Sequence, residues 1–496
     1  MAMNHKKAIV IGAGIAGMGV ALRLKKAGYE VNVFEQSLTY GGKIRQFASQ
    51  GFRFDTGPSL FTLPELVDEL FYLFDKNPRD YYKYLSLESI TRYFYENEIA
   101  LDSFSNPERF AEEAEHKLGV DRTIILSFLK SQEKSYKLLA PIFLENPIHK
   151  PLKLLKTKNI PALFHVMNPR FLQSMNSVNE KVFKNSKLTR LFNRYGTYNG
   201  SNPYQMPSLF NIISHLEHNV GAFLPERGIR SIADALYSLA TEHGVNFNFN
   251  SLVKNIEVEN GTAKGVWVNE KFHKADVVVS NMDVNRSFAE MLPNIKPPKI
   301  FLENQKSTSA LIFHWGIEGE HPSLDVHNIL FAKNYKEEFQ YLFDKKLLYH
   351  DPTIYIYISS KAVAGDAPAG KENWFVMINT PHLTPSLANP NTDDYLEMKS
   401  VIIEKIKKYT GIDISDKIVL ENITTPIDLQ NTTGSYLGSL YGASSNSLLS
   451  AFLRHPNFSK IKNLYFCGGT VHPGGGIPLC LMSAKITAQL INEDIP

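Results

Sequence analysis

Cysteine is nearly absent from this chain, occurring only at Cys467 and Cys480. Two cysteines exclude a disulfide framework and point to a reducing, cytoplasmic setting. There is no apolar run of transmembrane length, and the opening MAMNHKK leads straight into a strand, so no signal peptide is expected. Excess charge is missing too. The formal net charge is +3, and without zinc-ligand spacing, an RNA-binding signature or a basic tail, neither a metal nor nucleic acid is an expected partner. At 43% hydrophobic and 21% charged over 496 residues, the chain is neither disordered nor fibrous and is long enough for two or three domains.

What is present is concentrated at residues 8–59. Ala8 to Ile11 reads as a buried parallel strand running into Gly12, Gly14 and Gly17 at the GxGxxG spacing, with a helix after it. Such a turn lets the backbone approach a pyrophosphate at the positive end of the helix. Val20, Ala21 and Leu24 form the inner side of the helix, Gly28 ends it, and a second strand, Val31 to Phe34, closes on Glu35. An acid at the tip of the second strand is where a ribose hydroxyl needs an acceptor, and it argues against a bound 2′-phosphate. Gly41, Gly42 and Lys43 follow after a short loop. Adjacent glycines free backbone N–H groups to face phosphate, with Lys43 or Arg45 to offset its charge; an ordinary Gly-Gly turn is the alternative.

The stretch FRFDTGP, Phe52 to Pro58, predicts a short strand entering a tight turn, and residues 63 to about 145 are expected to be helical. Leu63-Pro64-Glu65-Leu66 marks one helix start; Asn106 as cap with Pro107 at the first helical position marks another. Between 138 and 190, apolar residues (Ile142, Phe143, Leu144, Leu152, Leu154, Leu155, Phe164, Val166, Phe171, Leu172) alternate with Lys150, Lys153, Lys156, Lys158, Arg170, Lys181, Lys184, Lys187 and Arg190. Pro141, Pro147, Pro151, Pro161 and Pro169 are expected to break this stretch into short pieces. A basic surface with protruding apolar side chains suits a monotopic membrane contact, although solvated faces of amphipathic helices read the same way. A helix (Ser231 to His243), a strand (Val245 to Asn250), a hairpin (Leu252 to Ile256 with Ala263 to Asn269) and a strand (Ala275 to Asn281) then return to the nucleotide fold. Further strands, Ser309–Trp315, Thr353–Ile358 and Trp374–Asn379, and an amphipathic helix, Tyr395 to Tyr409, form a sheet able to enclose a long apolar ligand.

The close of the chain repeats its opening. Asn463 to Pro473 and Gly474-Gly475-Gly476-Ile477-Pro478 give strand, glycine-dense turn and helix. GGTVHPGGGIP before a Ser-Ala-Lys helix closely resembles the C-terminal signature of the bacterial phytoene desaturase-type carotenoid desaturases, which lie in the FAD-containing amine oxidase and GDI-like superfamily. The resemblance spans essentially the whole chain: GGK…DTGPS, the YNGSNP turn, LPERGI, HNILFA, DAPAG and TPIDL. Glu226-Arg227-Gly228 departs from the paired glycine of many members. Among sub-types the chain looks most like the 1′-hydroxycarotenoid 3,4-desaturases, with phytoene or diapophytoene desaturases and carotenoid isomerases as alternatives.

The resemblance implies an α/β fold. A Rossmann-like FAD domain would be built from residues 1–70, 221–290 and 425–496, with an inserted α+β substrate domain from 71–220 and 291–424 and a helical, membrane-contacting part near 138–190. It implies FAD as cofactor, a carotenoid as substrate, peripheral contact with the inner membrane from the cytoplasm, and hydride transfer to flavin with proton loss from the adjacent carbon. Residues implied at the cofactor are Gly12, Gly14, Ile15, Ala16, Gly17, Glu35, Gln36, Gly41, Gly42, Lys43, Arg45, Gly57, Pro58, Ser59, Val253 by its backbone, Asn281, Gly468, Gly469, Gly476, Ile477 and Pro478. Glu226, Arg227, His472 and acids near Glu133 are the candidates for proton transfer. A GDI-like prenyl-binding protein shares this architecture without redox chemistry. A flavin amine oxidase would want an aromatic cage for nitrogen, for which Tyr436, Tyr441 and Trp315 are the available residues.

Overall fold

The computed structural model describes residues 6–96, 99–150, 152, 154, 159–384 and 392–495. Its first strand, Lys7–Ile11, is the centre of a five-stranded parallel sheet in the order Leu464–Phe466, Val277–Ser280, Lys7–Ile11, Glu30–Phe34, Asn246–Asn248. Val10 stands between Val33 and Val279, so β-branched side chains stack across the middle of the sheet. A parallel sheet covered on both faces needs continuous apolar strands, and Ala8 to Ile11 are all buried.

The first helix, Ile15–Lys26, packs on this sheet and is covered in turn by the C-terminal helix, Ile477–Asp494. Burial therefore extends beyond the stripe of Val20, Ala21 and Leu24 to Met18 and Leu22. Leu22 and Leu24 are wholly enclosed, each contributing about 1.5–3 kcal/mol of apolar burial. The two helices approach closely because Gly19 has no side chain: a Cβ there would lie 3.2 Å from Leu481 Cδ2 and 3.3 Å from Ala484 Cβ.

A second, seven-stranded sheet runs Ile418–Thr424, Ser309–Glu318, Lys371–Thr380, Ile354–Tyr357, His327–Leu330, Ser89–Phe94, Ala100–Phe104. Its one parallel pairing joins Ser89–Phe94 to His327–Leu330; the others are antiparallel. This corrects the expectation of helix from 63 to about 145. Glu65–Tyr72 and Pro107–Leu118 are helical, the latter capped by Asn106 Oδ1 on Arg109 N at 2.8 Å, but strands lie between them. The β-branched and aromatic residues of SITRYF fit a strand paired on both sides and override helical neighbours.

A second correction concerns Pro141. It does not break the chain but sits in the last turn of the long helix Arg122–Phe143, where Asn146 Nδ2 donates to its carbonyl at 2.5 Å. The hairpin Val253–Glu259 and Thr262–Val268 carries a third strand, Lys271–Lys274, beyond the two expected. Among the described residues, no helix is long and apolar enough to cross a membrane.

Candidate active site

The glycine turns meet at the carboxyl ends of the parallel strands, the edge at which such sheets take ligands. At Gly17 a Cβ would lie 2.1 Å from the Gly12 carbonyl oxygen, so the helix can close on the turn only with glycine there. The Gly41-Gly42 doublet docks on the same turn through Gly41 N to Ala13 O at 2.9 Å. Asn281 joins the opening turn to the closing one. Its Nδ2 donates to Cys467 O at 3.0 Å, and its Oδ1 would be 2.7 Å from a Cβ on Gly14. Neither Gly14 before the first helix nor Gly476 before the last provides a capping side chain, so two sets of helix N-terminal N–H groups are left for a ligand.

Glu35 closes the second strand as expected and is buried against the first turn. Oε2 accepts from Ala13 N and Oε1 from Ser37 N, each at 2.8 Å, which orients the carboxylate and leaves further lone pairs on both oxygens. Gln36 and Arg45 line a second cleft together with Leu252, beside the buried Val253. Arg45 is positioned there by bonds from Nε to Gly42 O at 3.0 Å and from Nη2 to Ser37 Oγ at 3.1 Å.

From the glycine turns a cavity of about 560 Å³ extends between the two sheets. Gly14, Ile15, Ala16, Gly41, Gly42, Lys43, Gly57, Pro58, Ser59, Asn281, Gly469, Gly476, Ile477 and Pro478 are among the residues that line it. Leu139, Ala140, Phe143, Leu144, Ile148 and Phe452 line it as well, with Ile312, Ile329, Phe375 and Met377 of the large sheet. Lys43 presents its accessible surface to this cavity while protein surrounds its stem. Burial pushes the ammonium down, against the pull of Asp283, and Nζ donates to Leu440 O at 2.6 Å. Gly57 is forced by close approach, since a Cβ there would lie 1.9 Å from Lys43 O.

Some expected side chains do not reach the cavity. Glu226 and Arg227 are exposed on the loop before the helix Arg230–Glu242 and are not among its lining residues, which removes both as groups able to touch an enclosed substrate. His472 does line it, but Nε2 is paired with Asn146 O at 2.9 Å, and burial beside His149 pushes the imidazole down to about 3. Of the three aromatics considered as an amine cage, only Tyr441 lines the cavity. Trp315 is wholly buried and bonded to Glu421 at 2.7 Å, and Tyr436 lies at the second cleft. Cys467 is buried and Cys480 lines the cavity; desolvation raises both thiols, Cys480 to about 11.

Sequence reasoning missed a buried polar cluster beside the cavity. Arg194 Nη2 pairs with Glu217 at 3.0 Å and 3.1 Å, Tyr195 donates to Glu217 at 2.8 Å, and Tyr198 donates to it as well. A wide π-helical turn, Leu216–Val220, carries Glu217 and His218. The only signal was Arg194-Tyr195 preceding the YNGSNP turn, too local to foretell a partner twenty-three positions on.

The stretch 138–190 divides. Ile142 and Phe171 are buried, whereas Leu152, Phe164, Met167 and Leu172 are 83%, 72%, 73% and 67% exposed. Arg190 is committed to Glu96 at 2.8 Å and Lys150 approaches Asp494 at 3.4 Å. Pro151, Lys153, Leu155, Lys156 and Lys158 lie outside the described residues.

A parallel sheet with uncapped helix N-termini and glycine turns at its carboxyl edge, opening on a mainly apolar cavity, defines a dinucleotide-binding protein. The chain belongs to the flavin-containing amine oxidoreductase family, whose model matches residues 15–315. It is 44% identical to a 1-hydroxycarotenoid 3,4-desaturase of Flavobacterium sp. (strain P99-3), over 98% of this chain and 99% of that one. It is 28% identical to a 4,4'-diaponeurosporene oxygenase of Staphylococcus haemolyticus (strain JCSC1435), over 99% of this chain and 98% of the relative. Among solved structures, an oxidoreductase from Methanosarcina mazei superposes with TM-score 0.64 at 16% identity, covering 98% of this chain and 100% of that one. Putrescine oxidase bound to putrescine superposes with TM-score 0.66 at 12% identity, covering 99% of each chain. The protein is an FAD-dependent oxidoreductase with the Rossmann-like fold of this superfamily.

Proposed function

We propose that the protein is a carotenoid desaturase that introduces the 3,4 double bond into a 1-hydroxycarotenoid. The observation that carries this reading is a single cavity reaching from the glycine turns to the apolar residues Leu139, Phe143, Leu144 and Phe452. Full-length similarity to the Flavobacterium enzyme supports the particular substrate. In this reading the discontinuous segments 1–70, 221–290 and 425–496 hold FAD, and 71–220 with 291–424 hold the polyene.

The residues present fit FAD. Gly14, Ala16 and Gly17 would meet its pyrophosphate through backbone N–H groups, Glu35 would take a ribose hydroxyl, Val253 would meet adenine through its backbone, and Gly57, Pro58, Gly469 and Gly476 would flank the flavin. Bound FAD supplies the two-electron oxidation that removes hydrogen from the substrate. The chain's own part is positioning. Apolar walls such as Ile312, Ile329, Phe375 and Met377 hold an extended polyene, exclude water and keep the reacting bond in one orientation.

The test is incubation of the FAD-loaded protein with liposomes containing either a 1-hydroxylated acyclic carotenoid or phytoene. A red-shifted product from the hydroxylated substrate alone, two hydrogen atoms lighter, is the expected result. Colour from phytoene would transfer the protein to an early desaturation step. A product gaining oxygen would assign it the chemistry named for the Staphylococcus relative, and turnover of amines alone would sink the reading.

The exposed Leu152, Phe164, Met167 and Leu172 support peripheral membrane docking, because Phe143, Leu144 and Ile148 of the same stretch line the cavity. A polyene could pass from the acyl boundary into the cavity without crossing water. The paired substitution Phe164→Asp with Leu172→Asp should weaken binding to phosphatidylglycerol–phosphatidylethanolamine vesicles by about 10-fold or more, read by co-sedimentation. Unchanged sedimentation would rule this face out.

A further inference from the structure

Three residues that line the cavity each carry a polar atom buried without a partner. His327 Nε2, the Tyr335 hydroxyl and Arg194 Nε make no hydrogen bond among the described residues. All three residues line the cavity, and His327 and Tyr335 are 1% and 3% exposed. Buried polar groups are paired as a rule, so three orphans among the residues lining one cavity call for a ligand that supplies the partner.

The imidazole is held from its other side. His327 Nδ1 pairs with the Tyr355 hydroxyl at 2.7 Å, and that hydroxyl pairs with Ser59 Oγ at 2.7 Å. Ser59 directly follows Gly57-Pro58, so the relay ties His327 to the glycine-turn end of the cavity. The ring also stacks on Tyr357 with centroids 5.0 Å apart. Its orientation is therefore set before any ligand enters. Burial, with the Arg194 guanidinium also acting on it, pushes His327 down to about 3, so the ring is neutral, and with Nδ1 engaged by Tyr355 it leaves Nε2 as a single donor or acceptor, according to tautomer. An alcohol can donate or accept, so it meets either tautomer, and it carries no charge to desolvate.

We propose that His327 Nε2 and the Tyr335 hydroxyl, beside Arg194, hydrogen-bond the hydroxyl group of the polyene and select a hydroxylated end over a hydrocarbon end. This assignment rests on the desaturase reading above. A site built to pair a substrate hydroxyl penalises the analogue that lacks it, because the protein groups are again left unpaired.

The test compares kcat/KM and dissociation constants, the latter by quenching of intrinsic fluorescence, for a 1-hydroxylated carotenoid and the same polyene without the hydroxyl. Tyr335→Phe removes only an unpartnered hydroxyl, so its thermal midpoint should not fall while the preference for the hydroxylated polyene drops about 10-fold. His327→Leu should lose a similar factor, and His327→Gln should restore part of it. If His327→Leu fails to fold, Tyr335→Phe decides alone. A wild-type protein with no preference, or a Tyr335→Phe protein that keeps the full preference, would overturn the assignment. Wild-type protein inert on both polyenes would overturn the desaturase reading and this assignment with it.

Discussion

Gly17→Ala protein is expected to purify without flavin colour. The new Cβ would sit 2.1 Å from the Gly12 carbonyl oxygen and 3.0 Å from Asn281 Oδ1. Neither neighbour can yield cheaply. Gly12 N is bonded to Phe34 O at 2.8 Å, and Asn281 is bonded to Ile11 O through its backbone and to Cys467 O through its side chain. The first helix must then lift from the turn, carrying its N-terminal N–H groups away from the phosphate position. Overpacking of this kind costs about 1–3 kcal/mol of stability. Losing two charge-assisted hydrogen bonds costs FAD affinity about 100-fold or more. The measurement is flavin absorbance per protein after dialysis, together with the thermal midpoint with and without added FAD. Gly19→Ala is the control. It meets the tip of Leu481 and the Cβ of Ala484, so it should lower the midpoint and leave flavin content intact. Full flavin content in Gly17→Ala would refute the role given to the turn.

The opening turn was legible because its chemistry is local. Strand, GxGxxG, helix and Glu35 follow one another within thirty residues, and the geometry at each step is dictated by backbone sterics. Other motif residues turn out to be structural links across the fold. Asp55 of DTGPS accepts from Ile229 N at 3.1 Å and Arg230 N at 3.2 Å, anchoring the start of the helix Arg230–Glu242. Asp366 of DAPAG accepts two bonds from Arg53, each at 2.6 Å, which ties that loop to the hairpin Gln46–Ser49 and Phe52–Asp55. Thr425 and Asp428 of TPIDL form a capping box for the helix Pro426–Thr433. Partners hundreds of positions apart leave no periodic trace, so the substrate end of the cavity was not readable. His327 looked like one residue of HNILFA, and only the packing of Ser59, Tyr355 and Tyr357 around it reveals a ring with one nitrogen unpaired.

Glu217→Leu should cost about 3–5 kcal/mol, the penalty of leaving a buried charge without its partner. The side chains of Arg194 and Glu217 are only 10% and 1% exposed, and the guanidinium stacks 5.3 Å, 4.8 Å and 5.2 Å from the rings of Tyr93, Tyr195 and Tyr198. Those π faces favour the cation but cannot replace a carboxylate. Arg194→Met combined with Glu217→Leu removes both charges and should recover much of the loss, because two buried ions exchanged for apolar groups avoid their desolvation. Recovery stays incomplete for a reason visible in the cluster. Tyr195 keeps His218 Nε2 at 2.9 Å, but Tyr198 is left without the carboxylate that accepted its hydrogen bond. Midpoints of urea unfolding, followed by near-ultraviolet signals from the buried tyrosines, measure the two steps. Equal midpoints for the single and double variants would mean that the cost lies in the tyrosine hydroxyls and not in the charge pair.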